Sequence, residues 1–211
     1  MKKILGRLLM VLGLVMVLGA AGLLLYNRRE NTAAGESAAL VLEALETAPT
    51  RSAPEPELQP EPEAPREEMT EKTIDGRAYI GTLLIPALDL KLPVLSEWSY
   101  DGLKIAPGRY SGSTFTDDLT ICAHNYAAHF GRLSGLDLGT AAEFRDMDGF
   151  TWTYELSEIT ELGPLDIDEM TEKSPGDTWS LTLFTCTPGG ETRVTVRFQR
   201  TGILKSETEL P

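Results

Sequence analysis

The chain has 211 residues, of which 19 are basic and 32 acidic, giving a net charge of −13. That length accommodates one ordinary domain with attachments. The acidity, with no basic stripe and no zinc-finger spacing, argues against nucleic acid as a partner, because phosphate backbones would be repelled.

Charge is distributed unevenly: residues 1–26 carry +3, residues 27–73 carry −6 and residues 74–211 carry −10. Within the first segment, Leu8 to Tyr26 ("LLMVLGLVMVLGAAGLLLY") is nineteen residues without a charge, against the roughly 20 apolar residues that a membrane-crossing helix needs. Small residues from Gly19 to Gly22 offer a signal-peptide cleavage site as the rival reading, but Leu23, Leu24, Leu25 and Tyr26 carry the apolar run beyond it. Residues 1–26 are therefore expected to be an uncleaved transmembrane anchor. Lys2, Lys3 and Arg7 before the span outnumber Arg28 and Arg29 after it, a slight bias that places the N-terminus in the cytoplasm and the rest outside.

Residues 27–73 hold six of the thirteen prolines, most of them in "APEPELQPEPEAPREE". Proline alternating with glutamate favours extended polyproline II and repels itself, so this segment is expected to be a disordered, semi-rigid stalk. Within it Ser37 to Ala48, "SAALVLEALETA", has the pattern of a short amphipathic helix.

From residue 74 short apolar runs alternate with turn residues. "AYIGTLLIP", "KLPVL", "LTICAHN", "AEFRD", "FTWTYELSEI", "WSLTLFTC" and "TRVTVRF" read as strands. "DMDG" at Asp146–Gly149 and "SPGD" at Ser174–Asp177 read as turns. Helix is expected only around Tyr100–Lys104 and Phe130–Leu136. This predicts a mostly β domain, a closed β-barrel or a sandwich, over residues 74–205, followed by a short tail at 206–211.

Chemistry-bearing residues in that domain are few: His124, His129, Cys122 and Cys186. His124 directly follows the strand "TIC", and Cys186 ends the strand "TLFTC", so both stand where side chains emerge from a rigid sheet. If residues 186–191 form a hairpin connection, Arg193 returns beside Cys186. Taken singly, the cysteine reads as a small hydrophobe, the histidine as a surface group and the arginine as the polar face of a strand. One cysteine pair is no disulfide framework, although a Cys122–Cys186 bridge is conceivable.

Taken together these residues resemble a family. "TLFTCTPGGETRVTV" resembles the sortase signature, in which a TLxTC strand bears a nucleophile and an R-x-x-V strand follows. "TICAHNYAAHFGRL" resembles the sortase segment that bears a histidine, and "LKIAPGRYSGST" the stretch before it; the likeness spans about Tyr79 to Phe198. The resemblance implies a sortase-like closed β-barrel of about seven or eight strands with short helices. It implies Cys186 as nucleophile, His124 as general acid and base, and Arg193 as oxyanion donor. Arg197, on the same alternating face, competes with Arg193, which fits R-x-x-V through Val196. Thr185 matches a threonine placed beside the substrate carbonyl. Two departures are Ala123, where many sortases have glycine, and Cys122, which shares the His124 face and usually corresponds to a small apolar residue.

The implied activity is transpeptidation. An LPxTG-like sorting signal is cleaved between Thr and Gly through a Cys thioacyl intermediate, and the surface protein passes to a peptidoglycan amine. A pilin-polymerising sortase that joins lysine side chains, and a cysteine peptidase without transfer, are the alternatives; a non-catalytic binding module is a third. No cofactor or metal is needed, since "DMDG" lacks the later acidic ligands of a calcium loop.

Overall fold

The structure, a computed structural model, describes residues 2–47 and 68–205. The Pro/Glu-rich centre of the expected stalk, residues 48–67, and the tail 206–211 lie outside the described residues.

Nine strands follow a long helix, α1 (Lys2–Thr47): β1 (Lys72–Ile74), β2 (Arg77–Ile85), β3 (Leu90–Leu95), β4 (Gly108–Ser111), β5 (Leu119–Ala123), β6 (Ala141–Asp146), β7 (Phe150–Leu162), β8 (Leu181–Cys186) and β9 (Arg193–Lys205). A five-residue helix, α2 (Ile167–Thr171), interrupts the β7–β8 connection. The strands pair in the order β1-β2-β3-β4-β5-β8-β9-β7-β6. Gly81–Leu84 of β2 also pair with Glu143–Asp146 of β6, so β2 to β9 close into a ring of eight strands.

Alternation decides what the ring encloses, because successive side chains along a strand point to opposite faces. On β8 the inward residues Leu181 and Leu183 are fully buried, and they join Leu83, Ile121, Phe144, Val196 and Phe198 in one core. The outward residues of β5 and β8 have a separate cover. Cys122 and Phe184 are buried there under Leu103, from a 3-10 turn at Gly102–Lys104, and Met170 of α2. A ring whose outer face is apolar at one place must roof that place, and these two connections do so.

The strand expectations hold for all seven runs. β1 and β4, at three and four residues, escaped the periodicity argument because they are shorter than the pattern it needs. The two expected helical segments contain 3-10 turns, Gly102–Lys104 and Leu133–Gly135, but α2 and a 3-10 turn at Pro86–Leu88 lie outside them, both too short for a helical period to show. Asp146–Gly149 and Ser174–Asp177 are turns, with Asp146 accepting hydrogen bonds from the Asp148 and Phe150 amides and the Trp152 indole.

The largest difference from the sequence reading lies in residues 27–47, read there as the beginning of the stalk with a short amphipathic helix from Ser37 to Ala48; the helix is present to Thr47, but it is part of a longer one. Residues 27–47 continue α1 without a break. Tyr26, Glu30, Ala34, Ala38, Val41 and Leu45 recur every three or four residues, which gathers them on one helix face. Ala34, Ala38 and Val41 of that face are buried. Ala38 joins the main core, while Val41 packs with Tyr79, Leu95 and Ala106. Glu46 pairs with Lys91 at 2.5 Å, and the Lys72 ammonium donates to the Leu45 carbonyl at 3.0 Å. Before Tyr26 the side chains from Leu8 onward stay largely exposed, as expected of a segment meant for lipid.

Candidate active site

The site forms where two parallel strands end together. β5 and β8 run side by side in register, Cys122 opposite Phe184 and Ala123 opposite Thr185. His124, the next residue, therefore leaves the sheet beside Cys186. On the other side of β8 the antiparallel β9 places Arg193 directly opposite Cys186. Residues 62 and 69 positions apart in sequence from His124 thus meet at one edge of the ring.

The turn that returns Arg193 depends on glycine. Gly189 and Gly190 both have left-handed backbone, at φ of 93° and 79°, where a β-carbon would strain the chain. The Gly190 amide donates to the Thr187 carbonyl at 2.8 Å, and the Thr187 amide to the Thr192 carbonyl at 3.0 Å. The Arg193 guanidinium lies over this turn, donating to the Gly190 and Thr192 carbonyls at 3.0 Å each. Its backbone is adjacent to Cys186.

Arg197 has different partners. It stands opposite Thr182, four residues along β9 from Arg193, or about 13 Å of strand. It pairs with Glu158 at 2.9 Å, donates to the Glu169 carbonyl and covers the Trp179 ring. Its side chain joins β9 to β7 and to the α2 segment, away from the cysteine.

The loop after His124 is built from its own backbone. The amides of His129 and Gly131 both donate to the Tyr126 carbonyl at 2.9 Å. A β-carbon on Gly131 would lie 2.4 Å from the Asn125 carbonyl oxygen, so only glycine permits this closure. Asn125 donates to the Thr187 carbonyl at 3.4 Å, tying the histidine loop to the cysteine turn. Thr185 contributes from below: it is buried, lies on the opposite face of β8 from Cys186, and donates its hydroxyl to the Ala123 carbonyl at 2.8 Å. It braces the residue that precedes His124, and its hydroxyl does not line the Cys186 face.

The two cysteines are free. Cys122 is two residues short of His124 on the same face, so its backbone is about 8 Å from that of Cys186, too far for a bridge without movement. Burial pushes its thiol up to about 12, and it packs with Leu103, Met170 and Phe184 as a small apolar side chain. Cys186 is partly exposed, at the open end of the strand.

Burial lowers the pKa of His124, and the Lys104 ammonium lowers it further, while the Glu30 carboxylate opposes both. The Tyr126 ring lies 5.1 Å from the His124 ring and 5.6 Å from that of His129. His129 is fully buried, faces the backbone of Ala34 and Ile105, and is brought down to about 4 by burial. Neither of its ring nitrogens makes a well-formed hydrogen bond among the described residues. It is a core residue under α1, and so cannot share the role considered for His124.

Lys104, Tyr126 and Glu30 had no role in the sequence reading, although Lys104 and Tyr126 lie inside the stretches "LKIAPGRYSGST" and "TICAHNYAAHFGRL" that carry the family likeness. Glu30 lies 94 positions before His124, and only the helical stripe from Tyr26 to Leu45 hinted that it belongs to the domain.

Comparison with known proteins bears on the family and the fold. A family model described as a sortase domain matches residues 83–201. No curated protein matches the sequence. Among solved structures, sortase C of Streptococcus pneumoniae is 26% identical, with 62% of this chain and 71% of that one aligned at a TM-score of 0.53. A lid mutant of sortase A from Corynebacterium diphtheriae is 25% identical over 64% and 76% of the two chains, at 0.54. Sortase C of Clostridium perfringens, solved with a C-terminal cell wall sorting motif, is 26% identical over 59% and 71%, at 0.50.

Proposed function

Because the chain belongs to the sortase family of cysteine transpeptidases, we propose that it cleaves an LPxTG-like sorting signal between Thr and Gly and passes the surface protein to a cell-wall peptidoglycan amine. The observation that carries this reading is the meeting of Cys186, His124 and Arg193 at one edge of the ring.

Each residue then has a task. The Cys186 thiolate attacks the threonine carbonyl, forming a C–S bond as the carbonyl becomes an oxyanion. Thiols ionise near 8.5, and a domain of charge −10 disfavours an added anion, so local cations are required. Arg193, turned from the Gly190 and Thr192 carbonyls, donates to that oxyanion. Collapse breaks the C–N bond, and the His124 imidazolium protonates the departing glycine amine. The acceptor amine next attacks the thioester, His124 takes its proton and the Cys186 thiolate leaves. Thr185 serves this cycle by holding the backbone from which His124 projects. α1 supplies the single-pass anchor that keeps the domain on the outer membrane surface.

The test uses the full chain in detergent micelles with an LPxTG-like peptide and a small amine. A thioacyl adduct on Cys186, seen by mass spectrometry, and product that depends on the amine are expected; Cys186→Ala removes both. Turnover that survives Cys186→Ala overturns the assignment, and turnover indifferent to the amine indicates a peptidase. A second reading is favoured by the similar structures that are pilin-related sortases: the acceptor is a lysine of a pilin subunit. Isopeptide ladders formed with a lysine-bearing protein acceptor, but not with peptidoglycan-type amines, would select it.

A further inference from the structure

The docked half of the anchor helix reaches the histidine. Asn31 of α1 accepts a hydrogen bond from the Ala128 amide at 2.9 Å, in the middle of the loop that follows His124. A β-carbon on Gly35 would meet the Ala128 side chain at 3.3 Å, so helix and loop are in close contact over more than one turn. Ala34 is buried against the same loop, its backbone facing His129. One turn earlier on the same helix face, Glu30 is half-buried, and its carboxylate and Tyr26 both lie within electrostatic range of the Tyr126 hydroxyl. The Tyr126 ring in turn lies against the His124 ring.

We propose that Glu30 is a positioning residue for His124, acting through Tyr126, so that the membrane-anchor helix forms part of the active site. The inference rests on the sortase reading for the role of His124, but its geometry does not. The charged and titratable groups around the imidazole come from five elements: Glu30 on α1, Lys104 on the 3-10 turn, Tyr126 and His129 in the loop itself, Cys186 on β8 and, beyond it, Arg193 on β9. Of these, Glu30 is the carboxylate that opposes Lys104 at the imidazole, and Lys104 is itself paired with Asp101 at 2.9 Å. Glu30 is half-buried one turn before Ala34 on the docked helix face, beside the loop whose Tyr126 ring packs on His124, and its negative charge favours the imidazolium that must protonate the leaving amine. A neutral amide at position 30 could keep the contact but would lose the charge.

The chain has only two histidines, which makes the test direct. The imidazole titrations of His124 and His129 would be followed by NMR in the full chain in micelles, for wild type, Glu30→Gln, Glu30→Asp and Tyr126→Phe. Glu30→Gln is expected to move the His124 midpoint to lower pH, leave His129 unmoved, and lower kcat/KM for the sorting peptide about fivefold at neutral pH. Glu30→Asp is expected to restore most of both, and Tyr126→Phe combined with Glu30→Gln to add little to either alone. A His124 midpoint that stays in place in Glu30→Gln overturns the proposal. So does a parallel shift of His129, which would mean that the helix had undocked. If wild type fails to turn over any sorting peptide, the functional reading falls while the titrations still decide the role of Glu30.

Discussion

Two arginines on one face of β9 were equivalent by alternation, and their partners separate them. Arg193 is opposite Cys186 and, among the described residues, donates to carbonyl oxygens of a turn, whereas Arg197 is committed to Glu158, the Glu169 carbonyl and the Trp179 ring. Arg193→Ala should therefore lower kcat about 100-fold, the lower end of the loss seen when an oxyanion donor is removed, with little change in thermal stability. Arg197→Ala should do the reverse, costing about 1 kcal/mol of stability while kcat stays within about threefold of wild type. Steady-state kinetics and thermal melts of the two variants check both expectations, and an exchange of phenotypes would reassign the oxyanion role. TLxTC and R-x-x-V made Cys186 and Arg193 legible as candidates, because motif residues at strand ends are local features. The inward turn of Thr185 was equally readable from alternation, since it is adjacent to an outward cysteine. What Cys122 does was not readable: only the packing of Leu103 and Met170 from two distant connections makes it an apolar filler.

At the scale of elements, the seven longer strands followed from β-branched runs bounded by turns, whereas α1 was only half legible. Its first half is apolar throughout and needs no partner to be recognised as a span. Its second half has a narrow face of small residues, Ala34 and Ala38 among them, that identifies an interface only once a complementary loop exists. That loop places His129 beneath the helix as a buried neutral imidazole. A histidine held near 4 in the fold and near 6.5 unfolded gives stability that is fully present above about pH 6.5 and is lost as pH falls toward 4, by up to about 3 kcal/mol. Asp146, whose pKa burial raises, contributes with the opposite sign, so the comparison is between wild type and His129→Phe at each pH. The melting temperature of wild type is expected to fall relative to His129→Phe between pH 7 and pH 4.5; parallel curves would remove His129 as the cause.

For the whole molecule, helix continuity sets geometry. Tyr26 closes the apolar span and Glu30 follows one turn later, a rise of about 6 Å. With the span in a bilayer, the His124 loop is thereby held close to the membrane surface by a helix that is rigid on both sides of the junction. Inserting six Gly-Ser residues after Tyr26 in nanodisc-embedded protein is expected to lower turnover of a membrane-tethered sorting signal at least about threefold, while a soluble peptide is processed as before. Equal effects on the two substrates, measured side by side, would show that the junction does not set the height of the site.

Sequence by itself determined the apolar span, the strand periodicities, the glycine turn after Cys186 and the family likeness, because each depends on residues near one another in the chain. Only the tertiary structure decided that β5 and β8 lie parallel and in register, that Arg197 is committed to Glu158 and Trp179, and that α1 docks on the histidine loop. These are long-range pairings, fixed by closure of the ring and burial of a helix face, and side-chain pattern within one segment carries no information about which distant segment will cover it.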